Sequence, residues 1–135
     1  MGRELRPEHL GFFHARMTEH DRVESVDALP NNDEYMFRVH RTRGRSPVTV
    51  HFTDAYRYGM MDYISRPKEV GRGSFVVLGM PHASYDEEII DDARRDGIGI
   101  GHIGKFMGAL TRDNVSEYET PQERADRIRR AKEGH

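Results

Sequence analysis

Between Ser74 and Met80 the chain reads Ser-Phe-Val-Val-Leu-Gly-Met, with four consecutive large apolar residues and no polar alternation. A strand with one wet face alternates, so an unbroken run of this kind is a strand covered on both sides. The rest of the chain must therefore supply helices for two faces of one sheet. Downstream, Ser84 and Glu87 are spaced as a capping box, Ile89, Ile90 and Ala93 share a helical stripe, and Gly97 stands where a left-handed C-cap belongs. Ile98 and Ile100 then mark a short strand. Strand, helix and strand in this order form a parallel, right-handed unit.

The upstream half alternates instead. Tyr35, Phe37 and Val39 interleave with Met36, Arg38 and His40, and Val48, Val50 and Phe52 interleave with Thr49, His51 and Thr53. Period two on both sides of Arg43-Gly44-Arg45-Ser46-Pro47 predicts a hairpin. Val23, Val26 and Leu29 run into the turn formers Pro30-Asn31-Asn32-Asp33, which adds a strand and completes a meander. Leu10, Phe13 and Met17 predict an amphipathic helix from about 7 to 20. Asp54 is the expected cap of a second helix over 55–65, and Phe106, Met107 and Leu110 begin a short one. From Asp113 the composition turns polar, and Thr120-Pro121-Gln122-Glu123 opens a charged helix to about Lys132 whose one large aliphatic is Ile128. That helix is either a solvated appendage or a docking element for another chain.

The expected class is α/β: a single small domain over 1–112, with a mixed central sheet of about five strands flanked by helices, then a polar linker and charged helix over 113–135. The length of 135 residues suits one core. Lys plus Arg number 21 against 23 Asp plus Glu, for a net charge of −2, which excludes a uniformly basic nucleic-acid coat but permits local basic patches. With no cysteine, disulfides, thiolate metal sites and cysteine nucleophiles are excluded. No segment has a signal peptide's apolar run or a membrane span, and Gly2 lacks a myristoylation context, so a cytoplasmic protein without membrane attachment is the expectation.

The order helix, three-strand meander, helix, apolar strand, capped helix and short strand resembles the restriction-endonuclease-like, or PD-(D/E)XK, fold. The stretch GSFVVLGMPHASYDEEIIDDARRDGIGIGHIGKFMGAL, Gly73 to Leu110, looks like the closing half of Mrr-type restriction endonucleases. The resemblance implies an acid opening the second strand and a Glu-x-Lys pair on the third, together holding a divalent ion. Asp33 or Glu34 matches the acid, but the third strand reads Val48-Thr49-Val50-His51-Phe52-Thr53-Asp54, without the pair. What the resemblance implies is thus a nucleic-acid-associated binding or assembly subunit with a degenerate catalytic motif. The alternative is a nuclease with a rearranged centre of Asp33, His51 and Asp54, in which Asp33 and Asp54 would ligate Mg²⁺ or Mn²⁺.

Other features bear on partners. Arg41, Arg43 and Arg45, with Arg38 and His40, form a basic hairpin without an intervening acid, suited to phosphate contacts or to pairing with acids of the same chain. Tyr56 and Tyr58, with Tyr63, would stack bases or pack as half-buried helix residues. Gly99-x-Gly101-x-x-Gly104 fits the dinucleotide-binding expression, but it follows the last strand rather than the first, so close packing explains it better. Among eight histidines there is no metal-binding spacing; His51 and His82 are the two placed near strand ends. A third function is compatible with the sequence, a protein-interaction or self-assembly module in which the C-terminal helix binds a protein partner or makes a homo-oligomer.

Overall fold

The computed structural model describes residues 7–30 and 35–134. In chain order the elements are α1 (Pro7–Glu19), β1 (Val23–Ala28), β2 (Tyr35–Arg41), β3 (Val48–Thr53), β4 (Arg57–Tyr58), α2 (Met60–Ile64), β5 (Phe75–Leu78), β6 (Ser84–Tyr85), α3 (Glu87–Asp96), β7 (Gly99–His102), α4 (Ile103–Ala109) and α5 (Pro121–Glu133), with a 3₁₀ turn over Val115–Glu117. The main sheet has the order β1-β2-β3-β5-β7. β1, β2 and β3 form the antiparallel meander, whereas β5 and β7 are added parallel to β3. The expected mixed five-strand sheet flanked by helices is therefore present.

The register explains which side chains share a face. Phe37 lies opposite Val50, Phe52 opposite Val77, and Val50 opposite Phe75, which places these aromatic and β-branched residues together. α1 covers this face through Phe13, whose ring centre is 5.3 Å from that of Phe37 and 5.1 Å from that of Phe52. α4 adds Phe106, 5.0 Å from Phe75. Phe75 and Phe13 are fully buried. Gly99 belongs to the same packing, because a Cβ there would run into the Phe75 ring; the glycine lets the ring lie across β7. Val76 and Leu78 point the other way and are equally buried, as the unbroken apolar run requires. α2 and α3, which touch one another, cover that side with Tyr63, Ile89 and Ala93.

Three local expectations change. The helix expected over 55–65 is confined to Met60–Ile64, because Arg57 and Tyr58 are drawn out as a short parallel strand against Ser84 and Tyr85. Asp54 is consequently not its cap; the Gly59 N–H, at the true N-cap, donates to Asp62 Oδ2 at 2.9 Å. Ser84 is taken up in the same strand pair, so α3 starts after Asp86 and the expected Ser84 cap is not made. Gly97 does end α3 in the left-handed conformation, at φ 77°.

The C-terminal segment is joined to the domain rather than hanging from it. Val115 and Ser116 are buried. α5 itself buries no residue, yet its capping box is doubled in use. Glu123 accepts from the Thr120 N–H at 2.9 Å and also from Lys105 Nζ at 2.8 Å and from the Tyr85 hydroxyl at 2.9 Å. Burial alone would raise the Glu123 carboxyl; the hydrogen bonds from Lys105 and Thr120 reverse this and hold it below its ordinary value. The Tyr85 phenol is pushed upward by burial and by the Glu123 charge. Arg127 pairs with Glu119 at 2.8 Å, and Arg130 reaches Glu87 at 3.3 Å.

Candidate functional site

The residues expected to contact nucleic acid do not form one surface. Arg41 is 6% exposed. Its guanidinium donates to the carbonyls of Ser46 (2.7 Å), Leu110 (3.2 Å), Arg112 (2.5 Å) and Asp113 (3.2 Å). Burial, and then the neighbouring Arg45, push its pKa down. A buried planar fork held by four carbonyls is a tie between the hairpin and the chain after α4, with no open edge for a phosphate. The phosphate-binding role expected of Arg41 is corrected on that ground. Arg45 is turned to Asp113 at 3.0 Å, while Arg43 is exposed at the tip, at φ 62°. Tyr58 is 1% exposed and unavailable for stacking; Tyr56, at 56%, is open. The arginines precede β3 and the tyrosines follow it, so six residues of strand separate them, about 20 Å at the rise of a strand.

The expected metal centre is not assembled among the described residues. Asp33 lies outside them. His51 is 5% exposed within β3, level with Met36 and Val76. Asp54 follows the strand at an intermediate position. No group of three His, Cys, Asp or Glu side chains among the described residues is placed to hold a metal ion. His82 is exposed in the loop after β5.

A different site emerges from the parallel half of the sheet. β3, β5 and β7 end level with one another, Thr53 beside Leu78 and Leu78 beside His102. The Gly79 N–H donates to the Thr53 carbonyl at 3.0 Å and carries the ladder one step past the strand. At this carboxyl edge lies an open pocket of about 360 Å³. Phe52, Leu78 and Gly79 border it at the strand ends, the loop after β5 contributes Met80 and Pro81, and the β7–α4 junction contributes His102 and Ile103. α1 forms the remaining wall with His9 and Phe12. Phe12 is 48% exposed at the mouth, with the Arg16 guanidinium 4.8 Å above its ring.

The antiparallel pairing of Tyr35 with Phe52 brings the start of β2 to this same edge. It is thus the edge where the resemblance would put metal-binding carboxylates, and the described residues that line it are mostly apolar. No Lys, Arg, Asp or Glu among the described residues lines the pocket. His9 and His102 are the polar residues that border it, and His102 Nε2, closed from solvent, does not front the open space.

The sequence signal for this site was the unbroken strand itself. Parallel strands place ligands beyond their carboxyl ends, so Gly79-Met80-Pro81 and His102 were identifiable as edge residues. α1's contribution of His9 and Phe12 was not, because nothing in its periodicity says which strand ends it overhangs.

Fold and site together define a small α/β domain with an open, largely apolar pocket at the carboxyl edge of its parallel strands. Compared with protein-family models, curated proteins and solved structures, the chain finds no match in any of the three. No helix among the described residues is long and apolar enough to cross a membrane.

Proposed function

We propose that this chain is a binding domain that receives a small, largely apolar molecule at the carboxyl edge of its parallel strands. The observation that carries the reading is the 360 Å³ pocket at the level ends of β3, β5 and β7, lined by Phe12, Phe52, Leu78 and Met80. Concave, mainly apolar sites with few polar groups are the usual form of small-molecule sites, and this edge is their usual place in a parallel sheet. Chemistry of the nuclease kind needs carboxylates to hold a hard cation, and among the described residues the lining supplies none. Titration of the protein with toluene, followed by amide NMR shifts, tests the reading. Shifts should gather at Gly79, Met80 and Ile103 and disappear in Phe12→Asp, a change at an exposed rim position that leaves the core intact. Shifts scattered over the surface, or none, would end it.

A second reading keeps the nuclease-like element order and makes the chain a nucleic-acid-associated or assembly subunit. The observation favouring it is that α1, the meander and a strand parallel to β3 follow one another as the resemblance implies, with Arg38 and Arg43 exposed. Anisotropy of labelled DNA and RNA across a salt series, with Mn²⁺ or EDTA, tests it. Salt-sensitive binding with intact strands supports it, metal-dependent shortening supports a nuclease, and no binding removes both.

A further inference from the structure

The carboxyl-edge pocket carries a cation beside its mouth. Phe12 lines the pocket and is 48% exposed. One helical turn further on, Arg16 falls on the same side of α1, and its guanidinium stacks on the Phe12 ring, 4.8 Å from the ring centre. Stacking of this kind holds the cation over an apolar wall while its N–H edges stay free for planar acceptors. The Arg16 side chain is 46% exposed, and its ion pair is a loose one, 3.7 Å to Glu19, whose own side chain is 70% exposed. Such a pair contributes little and gives way readily to another anion.

An apolar wall with a half-exposed guanidinium beside it is complementary to an amphipathic anion. A chain lying against Phe12, Phe52, Leu78 and Met80 would end within reach of the flexible arginine stem. One guanidinium supplies one positive charge and one planar fork, which a monocarboxylate matches with two parallel hydrogen bonds. Resting on the pocket reading above, we propose that the molecule received is an apolar monocarboxylate of the medium-chain fatty-acid class, its chain in the pocket and its carboxylate on Arg16 in place of Glu19.

Octanoate and octanol are the probes, equal in chain length and different in the head. Octanol leaves water far more readily, so a pocket indifferent to charge would favour it. NMR titration of the full chain with each, near neutral pH where the carboxylate is ionised, gives the ratio of the two affinities. Arg16→Gln should shift that ratio about fivefold toward octanol, the size of effect a partly exposed ion pair supports. Glu19→Gln, which removes the competing carboxylate, should shift it toward octanoate. Arg43→Gln makes the same charge change at the hairpin tip, beyond the opposite end of β3, and should leave the ratio where it was. A ratio that does not move in Arg16→Gln, or that falls as far in Arg43→Gln, would overturn the carboxylate pairing and leave the pocket reading standing. Binding of neither probe would overturn both.

Discussion

Arg41 shows how one residue can look functional in a sequence and be structural in the fold. Its position among Arg38, Arg43 and Arg45 suggested a phosphate grip, yet four of its five N–H donors are spent on four carbonyls, three of them beyond Ala109. Arg41→Ala strands those carbonyls in a closed site and should lower unfolding free energy by about 2–4 kcal/mol in urea melts. Arg41→Lys should remain well short of the parent, because one ammonium does not span a guanidinium's fork. Arg43→Ala, at the open tip, should stay within about 0.5 kcal/mol. A phosphate-binding Arg41 would reverse the pattern, with stability unchanged and salt-dependent affinity lost. Gly99→Ala is a second test at this scale: its methyl meets the Phe75 ring, and overpacking of that kind costs about 1–3 kcal/mol. The close packing expected at Gly99 was legible because the glycine sat beside an apolar strand. Arg41's role was not, since three of its four acceptors lie about 70 residues away.

Among the elements, those whose signals are local and redundant were readable. α5 has proline at N1 and a reciprocal Thr120–Glu123 box, and it forms where expected. β2 and β3 alternate cleanly and pair as a hairpin. α2 and the start of α3 were misread together because Arg57–Tyr58 and Ser84–Tyr85 pair with each other across the sequence, and such a contact leaves no mark on either segment alone. The docking of α5 was likewise invisible: Glu123 was identified as a cap, while Lys105 and Tyr85, its other partners, belong to distant elements. That shared carboxylate makes the docking pH-dependent. A carboxyl held below its ordinary value in the fold contributes stability fully above its unfolded pKa of about 4.3, and the contribution fades as pH falls through the folded value. Hydrogen exchange of α5 amides should therefore accelerate below about pH 4 before exchange in β3 and β5 does. Glu123→Gln should show the fast exchange already at pH 7.

For the whole molecule, the decisive question is where the folding unit ends. A boundary at 112, with a polar linker after it, is what composition suggested, since 113–119 carry mostly polar side chains. The structure puts Val115 at 2% and Ser116 at 6% exposure and gives Arg41 an acceptor at the Asp113 carbonyl. The 3₁₀ turn thus closes the side of the domain where β7 and α4 meet, and the sheet edge beyond β7 is not left bare. Composition misleads here because two inward-facing residues are enough to bind a short polar segment to a core. Two truncations separate the possibilities. Ending the chain after Glu119 removes α5, whose contacts are polar and mostly exposed, and should cost about 1 kcal/mol or less. Ending it after Arg112 uncovers the surface under Val115 and removes a carbonyl from Arg41, and should cost about 2–4 kcal/mol. Urea unfolding of the two, compared with the full chain, reads the difference directly. Equal midpoints would return the boundary to 112 and make everything after α4 an appendage, whereas the expected gap makes the 3₁₀ turn the last structural part of the domain that holds the carboxyl-edge pocket.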